Sequence, residues 1–222
     1  MRVQEYMNTD LIIAQLNERF GRGKTDKIVS YLDMVLERNE HINLTAVRNR
    51  DEALVKHVLD SLAISDVPEY MDAKKIIDVG TGAGFPGALL AIIDPDKEFI
   101  LLDSTLKRLR VIDEFAETLG INNLRTVHAR AEEISGKPEY KDGFDLCVSR
   151  AVADLEKLSG WCLPFVRKGG SFIAYKGENY FEEVERSGKT FRKYNAVLDR
   201  VVDYPDTEPE ISGHVFLVIK RR

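Results

Sequence analysis

Hydrophobic positions along the chain change their period twice. Over residues 8–64 they recur at helical spacing. Ile28, Leu32, Val35 and Leu36 stand at i, i+4, i+7 and i+8, and Leu54, Val58, Leu59 and Leu62 form a second stripe. Thr25 and Asp51 are placed to N-cap these two helices. The stretch Asn39–Val47 between them has no clear period. Val67-Pro68-Glu69 closes the region, because the residue before proline leaves the helical basin. From residue 74, short apolar runs at 75–79, 98–102, 124–128, 144–149 and 171–175 alternate with helical segments. The clearest helix is 105–119, with Leu109, Ile112, Phe115, Ala116 and Leu119 on one side. Apolar strands alternating with helices predict a parallel sheet covered on both faces. The last change gives two strands, Tyr194–Tyr204 and His214–Lys220, joined by Pro205-Asp206-Thr207-Glu208-Pro209 as a turn-rich link.

A chain of 222 residues holds one large domain and a small appendage. The pattern divides it into a helical extension over 1–70 and an α/β domain over 71–222. Its expected architecture is Rossmann-like: seven strands, mostly parallel, closed by a C-terminal antiparallel hairpin. No internal repeat interrupts it.

The most specific stretch is Ile76–Gly87. It reads as a buried strand, then Asp78, then Gly80, Gly82 and Gly84 at alternate positions opening a helix. Such a turn lets backbone approach a ligand with no Cβ in the way. An acid two residues before the first glycine suits a cofactor presenting a cation or hydroxyls. It suits a pyrophosphate at a helix N-terminus poorly. That points to S-adenosylmethionine, with Asp78 either facing its methionine end, directly or through water, or serving the turn and the helix dipole. Yet Gly82-Ala83-Gly84-Phe85-Pro86-Gly87 also fits the G-x-G-x-x-G dinucleotide fingerprint, with Asp103 downstream. On this segment alone a nicotinamide-dependent oxidoreductase stays open. The terminal hairpin favours a class I methyltransferase, since a dinucleotide domain more often continues with another βα unit.

In a doubly wound sheet, ligands bind beyond the carboxyl ends of the strands. Asp103 ends the second strand, where a carboxylate can accept both ribose hydroxyls, or favour the next helix dipole. Ala131 and Glu132 follow the third, and Glu132 either flanks the adenine or is simply exposed. Phe85 walls the pocket or packs under the sheet. Arg150 ends the fourth strand, near the transferable methyl. Its guanidinium can grip a phosphate or carboxylate, or pair structurally with Asp145 or Glu132. Lys176, after the fifth strand, is a weaker case of the same kind. His57 lies within a helix, a usual place for a packed or capping histidine.

Composition removes several classes. No run approaches the ~18 apolar residues that span a membrane, and the N-terminus opens no signal peptide. Cys147 and Cys162 sit in apolar segments, as buried thiols of a reducing cytosol do. No Cys/His cluster has metal spacing, so no metal is expected. The net charge of −5 argues against non-specific coating of nucleic acid, though not against a local basic face. Basic clusters occur at Arg48 and Arg50, at Lys107, Arg108 and Arg110, and at Arg186, Lys189, Arg192 and Lys193. Each is by itself an ordinary solvated face. The fourth strand is followed by no Asn/Asp-Pro-Pro-aromatic motif, which disfavours methylation of an exocyclic amine. Neither cysteine is placed for attack at pyrimidine carbon-5. A ring nitrogen with a free lone pair, such as guanine N7, needs neither device, and alignment alone supplies much of the acceleration.

Read together, these segments resemble the bacterial glucose-inhibited division protein B family (GidB, also RsmG). The resemblance rests on Asn43-Leu44-Thr45-Ala46-Val47, on His57-Val58-Leu59-Asp60-Ser61-Leu62 and on Asp78–Gly87. It continues through Leu102-Asp103-Ser104 with Lys107-Arg108, Arg130-Ala131-Glu132-Glu133, Ser149-Arg150-Ala151 and Tyr175-Lys176-Gly177. It covers about residues 20–220. The resemblance implies transfer of a methyl from S-adenosylmethionine to guanine N7 of 16S ribosomal RNA, on naked rRNA or on the small subunit. It implies cofactor contacts at Gly80, Phe85, Ala131, Glu132 and Arg150, and N-terminal helices on the RNA-facing side. With the positions read above, the expected cofactor set is Asp78, Gly80, Gly82, Gly84, Phe85, Asp103, Ala131, Glu132 and Arg150. Arg150 stands between cofactor and acceptor, and Arg48, Lys107, Arg108 and Lys176 contact phosphate. A cytoplasmic monomer with no membrane or DNA partner is expected. A non-catalytic RNA-binding assembly protein is the remaining alternative.

Overall fold

The computed structural model describes residues 9–150, 152–177, 180–204 and 214–222. The Pro205–Pro209 link lies outside the described residues. The extension forms α1 (Thr9–Phe20), α2 (Arg22–Asn39), α3 (Arg50–Ala53), a π-wound turn (Leu54–Leu59), α4 (Asp60–Leu62) and α5 (Pro68–Asp72). Strands and helices then alternate: β1 (Lys75–Val79), α6 (Gly87–Ile93), β2 (Glu98–Asp103), α7 (Leu106–Leu119), β3 (Leu124–His128), α8 (Ala131–Ile134) and β4 (Phe144–Arg150). The chain continues through α9 (Leu155–Cys162), β5 (Val166–Lys176), α10 (Tyr180–Lys193), β6 (Ala196–Asp203) and β7 (Val215–Arg221).

The strands form one sheet in the order β3-β2-β1-β4-β5-β7-β6. The first five run parallel, while β7 lies antiparallel between β5 and β6. Alternation along each strand divides the core in two. Ile76, Phe99, Leu101, Leu146 and Val148 face the layer of α2, α6 and α7. Ile77, Ile100, Leu102, Cys147 and Phe172 face that of α8, α9 and α10. The extension has no core of its own, since Ile12, Ile28, Leu32 and Val35 pack into the first layer.

Three local expectations differ. Thr25 does not cap α2, which begins after Gly21 (φ 82°). The threonine is buried and its hydroxyl donates to the Gly21 carbonyl at 3.2 Å. Asn49 rather than Asp51 caps α3, accepting the Glu52 amide at 2.9 Å, and Asp51 takes a hydrogen bond from Thr9. The fifth strand starts at Val166, five residues before the run at 171–175. Its register with β4 jumps from Phe144↔Val166 to Leu146↔Ser171, so the intervening residues bulge.

The aperiodic segment after α2 is ordered by one side chain. Asn39 Oδ1 accepts the amides of Leu44 (2.8 Å) and Thr45 (3.0 Å), and its Nδ2 donates to the Thr45 carbonyl at 3.0 Å. This turns Leu44–Ala46 back toward the sheet edge.

Candidate active site

Strand order reverses between β1 and β4, and a cavity of about 630 Å³ opens at their carboxyl ends. One wall is Gly80–Ala83, Leu102–Ser104 and Ala129–Glu132. Leu44, Thr45, Ala46 and His57 from the extension line it too, with Phe85, Arg108, Arg150, Val152 and Trp161.

The glycines of the turn serve different ends. Gly80, Gly82 and Gly84 have φ of 77°, 61° and 94°. A Cβ on Gly80 would meet Val152 Cγ2 at 2.6 Å, whereas at Gly82 the space is open. A Cβ on Gly84 would collide with the Tyr31 hydroxyl, which donates to the Ala83 carbonyl at 2.9 Å. Gly84 does not line the cavity. It admits Tyr31, whose ring meets Phe85 and Phe115 edge-on at 5.9 and 5.6 Å.

Asp78 takes the turn role of its two readings. Its side chain lies beneath the turn, 1% exposed, off the cavity wall. Oδ2 accepts the Thr81 hydroxyl at 2.7 Å and the Gly87 amide at 2.9 Å, while Oδ1 is buried without a hydrogen bond. The chain's own carboxylate therefore occupies the start of α6, where a dinucleotide would set its pyrophosphate. Burial pushes this carboxyl up to about 6, against the pull of Thr81 and Gly87.

Asp103, 6% exposed, lines the cavity. It braces the turn by accepting the Gly82 amide at 3.0 Å and the Thr105 amide at 2.8 Å. Each of its oxygens keeps a further lone pair for a ligand. Ala131 and Glu132 open α8 on the same wall.

Arg150 pairs with neither Asp145 nor Glu132. Its Nη1 donates to the Lys56 carbonyl at 2.9 Å and to Asp60 Oδ2 at 2.5 Å, both from the extension. Asp145 instead accepts from Arg167 at 2.6 Å. Burial pushes the Asp60 carboxyl up, but His214 and Arg150 hold it below the usual range. His57 is part of the cavity wall rather than a mere packing residue. Its ring stacks on Phe85 at 4.8 Å and its Nε2 meets Thr45 Oγ1 at 2.7 Å. Burial and the neighbouring Arg150 charge push its imidazole down to about 4.

The basic residues separate. Arg48 and Lys107 are exposed, and half-buried Arg108 lines the cavity, 3.9 Å from Asp103 Oδ2. Lys176 is withdrawn: its ammonium bonds the Ala153 carbonyl at 2.8 Å and Glu183 at 2.6 Å, with the side chain 11% exposed. It is not a surface cation. Sequence reading gave no role to Tyr31, Asn39 or Trp161, and carried Asp60 only within the His57–Leu62 segment of the resemblance. Asp60 alone carried a signal, as a lone acid inside the apolar run 58–64.

The geometry fits an S-adenosylmethionine pocket better than a dinucleotide site, and comparison with known proteins agrees. The sheet matches an O-methyltransferase from Bacillus cereus in complex with SAH, at TM-score 0.61 and 16% identity, covering 86% of this chain and 91% of that one. It also matches M. jannaschii TYW2 in complex with AdoMet, at TM-score 0.56 and 17% identity, over 78% and 81% of the two chains. These likenesses establish the class I methyltransferase fold. Two relatives named ribosomal RNA small subunit methyltransferase G come much nearer in sequence. That of Clostridium novyi is 39% identical over 91% of this chain and 83% of its own length. That of Acetivibrio thermocellus is 40% identical over 89% and 81%. Residues 24–211 match the GidB family, described as rRNA small subunit methyltransferase G, and the chain belongs to that family.

Proposed function

We propose that this protein moves the methyl group of S-adenosylmethionine to N7 of one guanine in 16S ribosomal RNA. One observation carries the reading. A single cavity joins a glycine turn and Asp103, both suited to the cofactor, to Arg150 and to a wall built from the extension. The extension over 1–70 is then part of the enzyme of 71–222 rather than a separate binding module.

The fit is chemical as well as spatial. The open space at Gly82 lets backbone approach a ligand. Asp103 would offer lone pairs to the ribose hydroxyls, and Ala131 and Glu132, on the same wall, would border the adenine. When bound, S-adenosylmethionine supplies an electrophilic methyl on a positively charged sulfur. The N7 lone pair would take that methyl as the carbon–sulfur bond breaks, the positive charge passing to the purine. No proton leaves N7, so the chain needs no general base. His57, held neutral on the cavity wall, would add no charge near a bound sulfonium. The work of Phe85 and Arg150 is alignment and exclusion of water. Arg108 on the cavity wall, with the exposed Arg48 and Lys107, supplies phosphate contacts. The protein acts as a cytoplasmic monomer on the small subunit or its rRNA.

Thermal unfolding with candidate cofactors tests the pocket, since a ligand binding only the native state raises Tm. S-adenosylmethionine and S-adenosylhomocysteine raise it; NAD(H) and NADP(H) do not. A rise with a nicotinamide cofactor alone would reject the proposal.

A further inference from the structure

The turn Leu54–Leu59 is wound wider than an α-helix, and the consequence falls on Lys56. In an α-helix the Asp60 amide would donate to the Lys56 carbonyl, four residues back. Here it donates to the carbonyls of Val55 and His57 instead. The Lys56 carbonyl thereby loses the Asp60 amide and accepts Arg150 Nη1 at 2.9 Å. The same nitrogen reaches Asp60 Oδ2 at 2.5 Å. One irregular turn thus offers a carbonyl and a carboxylate to a single guanidinium nitrogen. Among the described residues, Nη2 and Nε of Arg150 make no hydrogen bond and remain available. A third restraint comes from Phe85, whose ring centroid lies 5.7 Å from the guanidinium carbon. Single π-turns of this kind concentrate at functional sites.

Charge gives the arrangement a second purpose. A guanidinium beside a cationic sulfonium is unfavourable unless an anion compensates it. Asp60 is that anion: its side chain is 7% exposed and it also meets His214 Nδ1 at 3.3 Å. We infer that the π-turn and Asp60 act as a clamp that orients Arg150 and cancels its charge at the methyl-transfer site. Asp60 is then a positioning residue. The inference rests on the methyltransferase reading of the cavity.

Titrating S-adenosylmethionine and S-adenosylhomocysteine into the full chain tests it. The two ligands differ by one methyl and one positive charge. In Asp60→Asn, Arg150 is uncompensated, so affinity for the cationic ligand falls about tenfold more than for the neutral one. Asp60→Glu keeps the charge but displaces it. The affinity ratio then stays within about twofold while kcat on undermethylated subunits falls about tenfold or more, with KM little changed. An unchanged ratio in Asp60→Asn, or wild-type kcat in Asp60→Glu, would overturn the clamp. Should Asp60→Asn fail to fold, the kcat of Asp60→Glu decides. Failure of the wild-type chain to bind either ligand would overturn the methyltransferase reading itself, a result distinct from failure of the clamp.

Discussion

Tyr31 donates a hydrogen bond to the Ala83 carbonyl and fills the space that a side chain on Gly84 would need. A residue of the second helix thereby shapes a turn 52 positions later in the chain. Gly84→Ala forces both a collision with that hydroxyl and a side chain at φ 94°. It is expected to cost about 2–4 kcal/mol, from strain and overpacking together. Tyr31→Phe loses one hydrogen bond, about 1 kcal/mol. The double variant should cost less than the sum, because the phenylalanine yields part of the space. Denaturant unfolding of all four proteins measures the coupling, and strict additivity would mean that Tyr31 does not hold the turn.

Asp78 should leave a signature in the pH dependence of stability. Its carboxyl titrates at about 6 in the folded protein against an ordinary value of 3.8. Between these limits the folded state binds more protons than the unfolded chain, so this group lowers stability as pH rises from about 4 to 6. Asp78→Asn keeps an oxygen for Thr81 and Gly87 and removes that slope, worth roughly 2–3 kcal/mol across the window. Urea midpoints at several pH values compare the two proteins. Identical slopes would place the Asp78 carboxyl in its ordinary range.

The layered sheet was legible because strand burial is written as apolar runs, and β1 to β4 fall within a residue or so of those runs. The glycine turn and Asp103 were legible because backbone approach and strand-end acids leave compositional marks. What stayed hidden depends on pairing across the chain. Nothing local shows that Asn39 folds Leu44–Ala46, or that Arg150 answers Asp60 ninety positions earlier. Lys176 misled because a lysine at a strand end reads the same whether it meets solvent or a carboxylate. Asp78 was ambiguous for a related reason. Its spacing before the glycines is correct for the motif, but pleat and turn send the side chain under the loop.

His57 supplies a pH prediction of opposite sense. Its imidazole titrates at about 4 when folded against 6.5 ordinarily, so it stays neutral through the physiological range. Its contribution to stability is complete above pH 6.5 and is lost as pH falls toward 4. Ring-nitrogen chemical shifts of His57 followed by NMR should show a midpoint well below that of an exposed histidine. A midpoint near 6.5 would mean that the ring is solvated and not packed on Phe85.

The basic residues separate into two outcomes. Lys107→Ala should weaken RNA binding and reduce the slope of log affinity against log salt by about 0.7–0.9, one phosphate contact. Arg108→Ala should do the same and additionally disturb cofactor affinity, given its place beside Asp103. Lys176→Ala leaves the salt slope unchanged and lowers Tm, because it removes the cation paired with Glu183, which keeps only the Leu155 amide, and the donor to the Ala153 carbonyl. A salt slope altered by Lys176→Ala and not by Lys107→Ala would reverse the assignment.

The most direct test of the whole account is transfer of labelled methyl from S-adenosylmethionine to undermethylated small subunits and, in parallel, to naked 16S rRNA. Product nucleosides are then identified by mass spectrometry. The account predicts label in 7-methylguanosine at a single site, lost in Arg150→Ala. Label in a different nucleoside, or no transfer to either substrate by a protein that binds the cofactor, would contradict it.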